Sequence, residues 1–168
     1  MRIEYLAPGE VPGALAREAA LELGQVPPPL LALARAPEAA QAAWALVREA
    51  LLRGRLPRTT KELLALAAVA VAGVEPLRAL FRDGLARRGV DPLVLEELEA
   101  RGETARLPAR TQAVLAFGRK AALQPGLLDD ADWGRLRREG LDEGEQAELL
   151  LAAGAIGLLV HLTRALEG

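Results

Sequence analysis

Apolar positions along the chain come in blocks separated by proline, glycine and aspartate, and within most blocks they recur every three to four residues. That period puts them on one face of a helix, and no segment shows the sustained alternation of a half-buried strand. Pro12 can open a first helix that ends near Gly24, and Pro27-Pro28-Pro29 forms a stiff break. A short helix from Leu30 ends before Pro37, whose ring suits the first turn of the next helix, running to about Arg53. Thr59-Thr60-Lys61-Glu62 starts a very apolar helix that stops at Gly73. Pro76 starts another that ends at Gly89, and Asp91-Pro92 caps a short one reaching Arg101. Pro108 opens a segment to about Leu123, which Gln124-Pro125-Gly126 ends. Asp129 with Asp132, and Asp142 with Glu145, each have the spacing of a capped helix start. The first pair predicts a helix through Glu139, and the second a long final helix running nearly to Gly168.

Two runs, residues 63–72 and 149–160, are apolar on every side, interrupted only by small glycines in the second. A helix of that kind is buried at the centre of its fold or against another subunit. A chain of 168 residues has limited room to surround two of them, and Ala152-Ala153-Gly154-Ala155-Ile156-Gly157 permits close helix approach, so a homo-oligomer is expected. Both runs fall short of the roughly 18 residues that suggest a membrane span. Residues 1–10 contain no apolar core of signal-peptide length. The expectation is a cytoplasmic protein with no membrane partner. Its architecture is all-α, one domain over residues 1–168: an N-terminal arm and first helix (1–27), then a core (28–168) with a buried central helix and a long C-terminal helix.

Composition sharpens this. Leu and Ala, 34 each, make up most of the apolar residues, while aromatics are 3% and Cys, Ser and Asn are absent. Leu and Ala head the helix-propensity ranking, and the residues that build sheets are scarce. A disulfide scaffold, a zinc–cysteine site and any enzyme using its own Ser or Cys as nucleophile are excluded. The Arg bias and the missing Cys and Asn are compatible with a thermophilic origin. Lys+Arg is 21 against Asp+Glu 23, a net charge of -2 that does not suit a nucleic-acid partner. Basic stretches at Arg53, Arg55, Arg58 and Lys61, at Arg87-Arg88 and at Arg137-Arg138 have acidic neighbours and read as solvated helix faces.

The order of features resembles the alkylhydroperoxidase D-like (AhpD-like) and carboxymuconolactone decarboxylase superfamily. The strongest match is Leu56-Pro-Arg-Thr-Thr-Lys-Glu-Leu-Leu-Ala-Leu-Ala-Ala-Val-Ala-Val-Ala-Gly73. Upstream, Val26-Pro-Pro-Pro-Leu-Leu-Ala-Leu-Ala-Arg-Ala-Pro37 resembles the opening of the peroxidase-related branch, and residues 129–141 and the Ala/Leu-rich final helix also fit. The resemblance implies a compact multi-helix AhpD-like bundle. It also implies a redox motif, Cys-x-x-Cys with a His four residues on, fed by a Glu of the preceding helix. The first Cys of such a motif sits at a helix N-terminus that favours thiolate, and the His and Glu relay protons as a disulfide forms.

Here the two Cys positions fall on Val74 and Leu77 and the His position on Phe81, so the motif is vacated and only Glu62 remains. No thiol peroxidase activity is expected from this chain alone. Apolar packing of Val74, Leu77 and Phe81 is expected instead, each burial contributing about 1.5–3 kcal/mol relative to exposure.

Glu62 has two readings: the second half of a Thr59-x-x-Glu62 capping box, or a surviving acid/base in a pocket. His161, the only histidine, is either a packing or interface residue or a second acid/base, and alone it cannot build a metal site. Trp44 and Trp133 read as packing anchors, and Tyr5 as a cover for a neighbouring subunit. Asp129, Asp130 and Asp132 lack the glycine and distal glutamate of a calcium loop and read as a helix cap. No metal and no cofactor are expected. Two functions remain open: a binding or structural oligomer that holds a small apolar ligand or a protein partner, and a non-thiol enzyme of the carboxymuconolactone decarboxylase-like class using Glu62, His161 and nearby Arg at a subunit-interface pocket, on a lactone or carboxylate substrate.

Overall fold

The punctuation predicted from the sequence sets the helix ends. The computed structural model describes residues 3–167, and among them are nine α-helices and no strand. They are α1 (Gly13–Leu23), α2 (Pro28–Leu33), α3 (Pro37–Val47), α4 (Arg58–Ala72), α5 (Glu75–Arg87), α6 (Pro92–Arg101), α7 (Ala109–Leu123), α8 (Asp130–Arg138) and α9 (Glu143–Glu167). The bundle is all-α, as the composition predicts. Pro28 and Pro37 occupy first-turn positions, where their missing N–H costs nothing. Asp91 accepts from the Leu93 N–H, and Asp129 and Asp132 exchange a full capping box. Asp142 and Glu145 do the same before α9, each side chain accepting from the other's backbone N–H at 2.9–3.1 Å.

Three local expectations fail. Pro27-Pro28-Pro29 is not a break before a helix from Leu30: α2 begins at Pro28, with Pro27 as its N-cap, because proline's fixed φ suits a first turn. The helix from Pro37 does not run regularly to Arg53: after Val47 it widens into a π-turn over Arg48–Leu52 that buries Ala50, Leu51 and Leu52. The Thr59–Glu62 capping box does not form, because Pro57 takes the N-cap position and Arg58 already has helical geometry. Thr59 therefore lies inside the helix, where its hydroxyl cannot reach back to cap the start.

Helix α4 is the hub. It packs against α5, α6, α7 and α9, and every residue from Lys61 to Val69 is buried. A helix surrounded on all sides must be apolar all round, which is what the run of Leu and Ala supplies. With few aromatics, close approach replaces bulk as the means of filling space. Gly118 on α7 is the clearest case: a Cβ there would overlap the δ-methyls of Leu64 on α4. One buried cluster extends from Val11 through Leu15, Ala19 and Leu23 of α1 to Val160 of α9.

Helix α9 extends beyond its apolar run in both directions to 25 residues, and by length and composition it alone among the described residues could cross a membrane. Its inner face, with Leu149, Ile156 and Leu159, is buried in the bundle against α4 and α7. Leu150 and Leu151 stay exposed at 40% and 48%.

Candidate functional site

The vacated positions all lie on the inner side of α5. Val74 is its N-cap residue, and Leu77 and Phe81 follow at three- and four-residue steps. All three are 2% exposed or less, so the apolar replacements are packed away from solvent. Toward its C-terminal end the same helix contributes Leu80, Phe81, Gly84 and Arg87, and its C-cap residue Arg88, to the wall of a cavity of about 210 Å³. The C-terminal end of α1, from Leu21 to Gly24, closes the opposite side, and Glu62 of α4 completes the lining.

Glu62 is only 4% exposed. Arg58, one turn earlier on α4, donates from Nε to Glu62 Oε1 at 3.0 Å. Arg88 Nη1 lies 2.9 Å from Oε2, close enough to pair the charges. It is out of line for a hydrogen bond, so Oε2 is buried without one. Two guanidiniums therefore satisfy the charge of Glu62 while one oxygen keeps an unfilled acceptor position. Such an atom costs about 1–3 kcal/mol unless something donates to it.

Glu22 adds a second carboxylate to the cavity wall. It takes hydrogen bonds from Arg53 and, at 2.6 Å, from Arg58 Nη1. Arg58 also donates to the Glu22 carbonyl. The Arg53 hydrogen bond, with that of Arg58, holds the Glu22 carboxyl below the usual carboxylate range against the upward push of burial. Arg87 donates from Nη2 to the Leu23 carbonyl at 3.1 Å. Its guanidinium lies over Gly24, whose φ of 86° and missing Cβ make room for it.

The basic stretches are thus not uniformly solvated faces, as their composition suggests. Arg58 and Arg88 converge on Glu62, and Lys61 is completely buried. Lys61 Nζ donates to Glu148 Oε1 at 2.8 Å and to the Arg53 carbonyl. Glu148 also accepts from the backbone N–H groups of Arg55 and Leu56 at 2.9 and 3.1 Å. Glu22, Arg87 and Arg88 line the cavity, although nothing in the sequence marks Glu22 and Arg87-Arg88 reads as a solvated face, because their partners lie 26 or more positions away; Arg58, outside the lining, has a local signal in its spacing of four from Glu62.

His161 is not brought to this cavity. It is exposed on α9 and lines a separate groove with Ala122, Leu123, Gly157, Val160, Arg164 and Ala165. Within one chain, then, Glu62 and His161 do not share a pocket. Trp44 is buried with its indole N–H donating to Glu18 at 2.7 Å. Trp133 is half-buried, edge-on to Phe117 at 4.7 Å. Tyr5 is 42% exposed. Asp129 and Asp132 are occupied by their mutual cap, with Lys120 donating to Asp132 at 2.5 Å.

The sequence profile of the carboxymuconolactone decarboxylase family matches residues 37–120, half of the chain and the part that carries α3 to α7. No curated protein matches the chain. Among solved structures it is similar to the debrominase Bmp8, at 20% identity over 99% of this chain and 90% of that one, with a TM-score of 0.84. One Bmp8 structure holds 2,3,4-tribromopyrrole. It is also similar to a peroxidase-related protein with an alkylhydroperoxidase AhpD core from Ralstonia eutropha JMP134, at 21% identity over 99% of this chain and 90% of that one, with a TM-score of 0.83. A peroxidase-related protein from Silicibacter sp. TM1040 follows at 21% identity, over 92% of this chain and 81% of that one, with a TM-score of 0.81.

Proposed function

The chain belongs to the carboxymuconolactone decarboxylase family, and from that premise we propose that it is a binding member of the family, holding a small amphipathic ligand in the Glu62 cavity without thiol chemistry. The observation that carries this reading is Glu62 Oε2, a buried acceptor with no hydrogen bond, set beside the apolar wall of Leu23, Leu80 and Phe81. A ligand that complements such a site is a compact apolar ring with one N–H or O–H donor. The volume of about 210 Å³ lies below the roughly 300–1,000 Å³ of drug-sized sites, so the ring is small. With no cysteine in the chain there is no thiol to act on a bound molecule or on a peroxide. The separate grooves of Glu62 and His161 favour binding over acid/base catalysis by that pair.

The ligand of Bmp8 has the properties this cavity asks for, a compact ring and a single N–H, and serves as the probe. Calorimetric titration of the protein with 2,3,4-tribromopyrrole should show one site per chain. The N-methyl derivative, which lacks the donor, should bind about tenfold or more weakly, the equivalent of ~1.4 kcal/mol. Gly84→Leu should abolish binding by filling the cavity, since a Cβ at Gly84 meets nothing nearer than Arg87 at 3.9 Å. Equal affinity for the two probes, or binding that survives Gly84→Leu, would overturn the assignment.

The protein is further read as a cytoplasmic homo-oligomer. Support comes from the outer face of α9, where Ala147, Leu151, Gly154, Leu158, His161 and Ala165 follow the alternating spacing along which two helices pair. Light scattering should give a mass above the single-chain 17.8 kDa, and Leu151→Glu should return it to one chain. A monomeric native protein would remove this part of the proposal.

A further inference from the structure

A second cavity, of about 380 Å³, lies on the other side of the bundle between α6, α7 and α8. Gln112, Leu115, Ala116 and Arg119 line it from α7, a stripe at helical spacing, and small Ala116 leaves its floor open. Arg101 from the end of α6 and Arg135 from α8 face the same space, against a single carboxylate, Glu103. In a chain with more acidic than basic residues, such a local surplus is not the by-product of a basic composition.

Two of these three guanidiniums are left without an acid. Arg119 Nη1 donates to the Gly102 carbonyl at 2.6 Å, which fixes its position without neutralising it. Arg135 has no ion pair or side-chain hydrogen bond among the described residues. Arg101 has only a 3.5 Å contact with Glu97. Beyond Arg119 the hollow continues into a cavity of about 550 Å³, also lined by Ala116 and Arg119, where Arg164 and Lys120 add positive charge. There Asp132 answers Lys120, and Arg164 donates to the Ala72 carbonyl at 2.5 Å. Like charges held around one hollow repel, and an anion bound between them relieves that repulsion.

We infer that the α6–α7–α8 cavity is a binding site for a compact polyanion, a small molecule carrying two or more phosphate or carboxylate groups. The planar fork of Arg matches both oxyanions bidentately, and Arg119 and Arg135 come from different helices, so two groups on one ligand can be held at once. A volume of about 380 Å³ suits a small metabolite-sized molecule. This site shares no residue with the Glu62 cavity, and the inference stands whether or not that cavity is occupied.

The test is calorimetric titration of the full chain with pyrophosphate and, separately, with citrate, at low salt. One site per chain is expected for at least one of them, and the tighter of the two identifies the oxyanion. Affinity should fall as sodium chloride screens the charges. Arg119→Gln and Arg135→Gln should each weaken binding about tenfold, the equivalent of ~1.4 kcal/mol. Arg119→Lys, which keeps the charge and loses the fork, should fall between. Arg137→Gln, an exposed α8 cation outside the lining, serves as the charge-matched control and should bind as the native protein does. Circular dichroism checks that each variant is folded. Failure of both anions to bind, or equal losses in the Arg137 and Arg135 variants, would overturn the inference.

Discussion

Replacing Lys61 by Met tests the least expected feature of the core. Lys61 is completely buried at the start of α4, and its ammonium meets Glu148 at 2.8 Å and the Arg53 carbonyl. Met has similar length and no charge, so Lys61→Met removes the ion pair with little change of shape. Breaking a buried pair by removing one partner typically costs about 3–5 kcal/mol, because the other charge is left uncompensated. Here Glu148 is not abandoned: it retains the N–H groups of Arg55 and Leu56, and its side chain is 16% exposed. We therefore expect less than that range would give unmodified, about 2–4 kcal/mol after the remaining Glu148 partners and the apolar gain of the Met side chain are counted. For a domain of this size that is a fall in Tm of about 5–15 °C. Urea unfolding followed by far-UV circular dichroism gives the free energy.

The pH dependence supplies an independent arm. Burial pushes the Glu148 carboxyl up, but the hydrogen bonds from Lys61 and from the Arg55 and Leu56 backbone outweigh it and leave it below the usual carboxylate range. A carboxyl that is more acidic folded than unfolded contributes stability above its unfolded value, about 4.3, and loses it as pH falls through the folded one. The gap between native protein and Lys61→Met should be full at neutral pH and narrow below about pH 4. A variant within ~0.5 kcal/mol of the native protein, the usual size of a neutral surface change, would refute the reasoning. So would a gap unchanged down to pH 3, within the ordinary titration range of carboxylates.

Other substitutions probe the helix ends, the packing and the vacated motif. Asp129→Ala removes the reciprocal cap of α8 and should cost about 1 kcal/mol, read from the urea midpoint. Gly118→Ala forces Leu64 away from α7 and should cost about 1–3 kcal/mol in the same assay. Restoring both cysteines in Val74→Cys/Leu77→Cys should not restore a reactive pair, since the positions they occupy are 1% and 0% exposed. Thiols buried in apolar surroundings are held as the unreactive protonated form. Ellman's reagent should label them slowly in the native state and at once in denaturant, and rapid native labelling would show that α5 opens there.

What could be read from the sequence divides by distance along the chain. Helix ends are local chemistry, and so Gly24, Gly73, Asp91, Asp129 and the first-turn prolines Pro37, Pro76 and Pro92 mark them where the structure has them. The start of α4 shows the limit of that logic. Pro57 and Thr59 are both legitimate start signals, and the proline wins because the chain is already extended there and turns helical at Arg58. Lys61 reads as solvated because its neighbours Arg58 and Glu62 are polar, and nothing near it announces Glu148, 87 residues away. Glu62 is the sharper case. Its position was legible and its surroundings were not: Arg88, which approaches Oε2, comes from a different helix and lies beyond the vacated motif. The cysteine positions closed into core while the glutamate stayed at a cavity wall with an acceptor to spare. A carboxylate kept only to steady α4 would need no cavity in front of it; this one, though paired with Arg58 and Arg88, faces a cavity, and that is what favours the ligand reading proposed above.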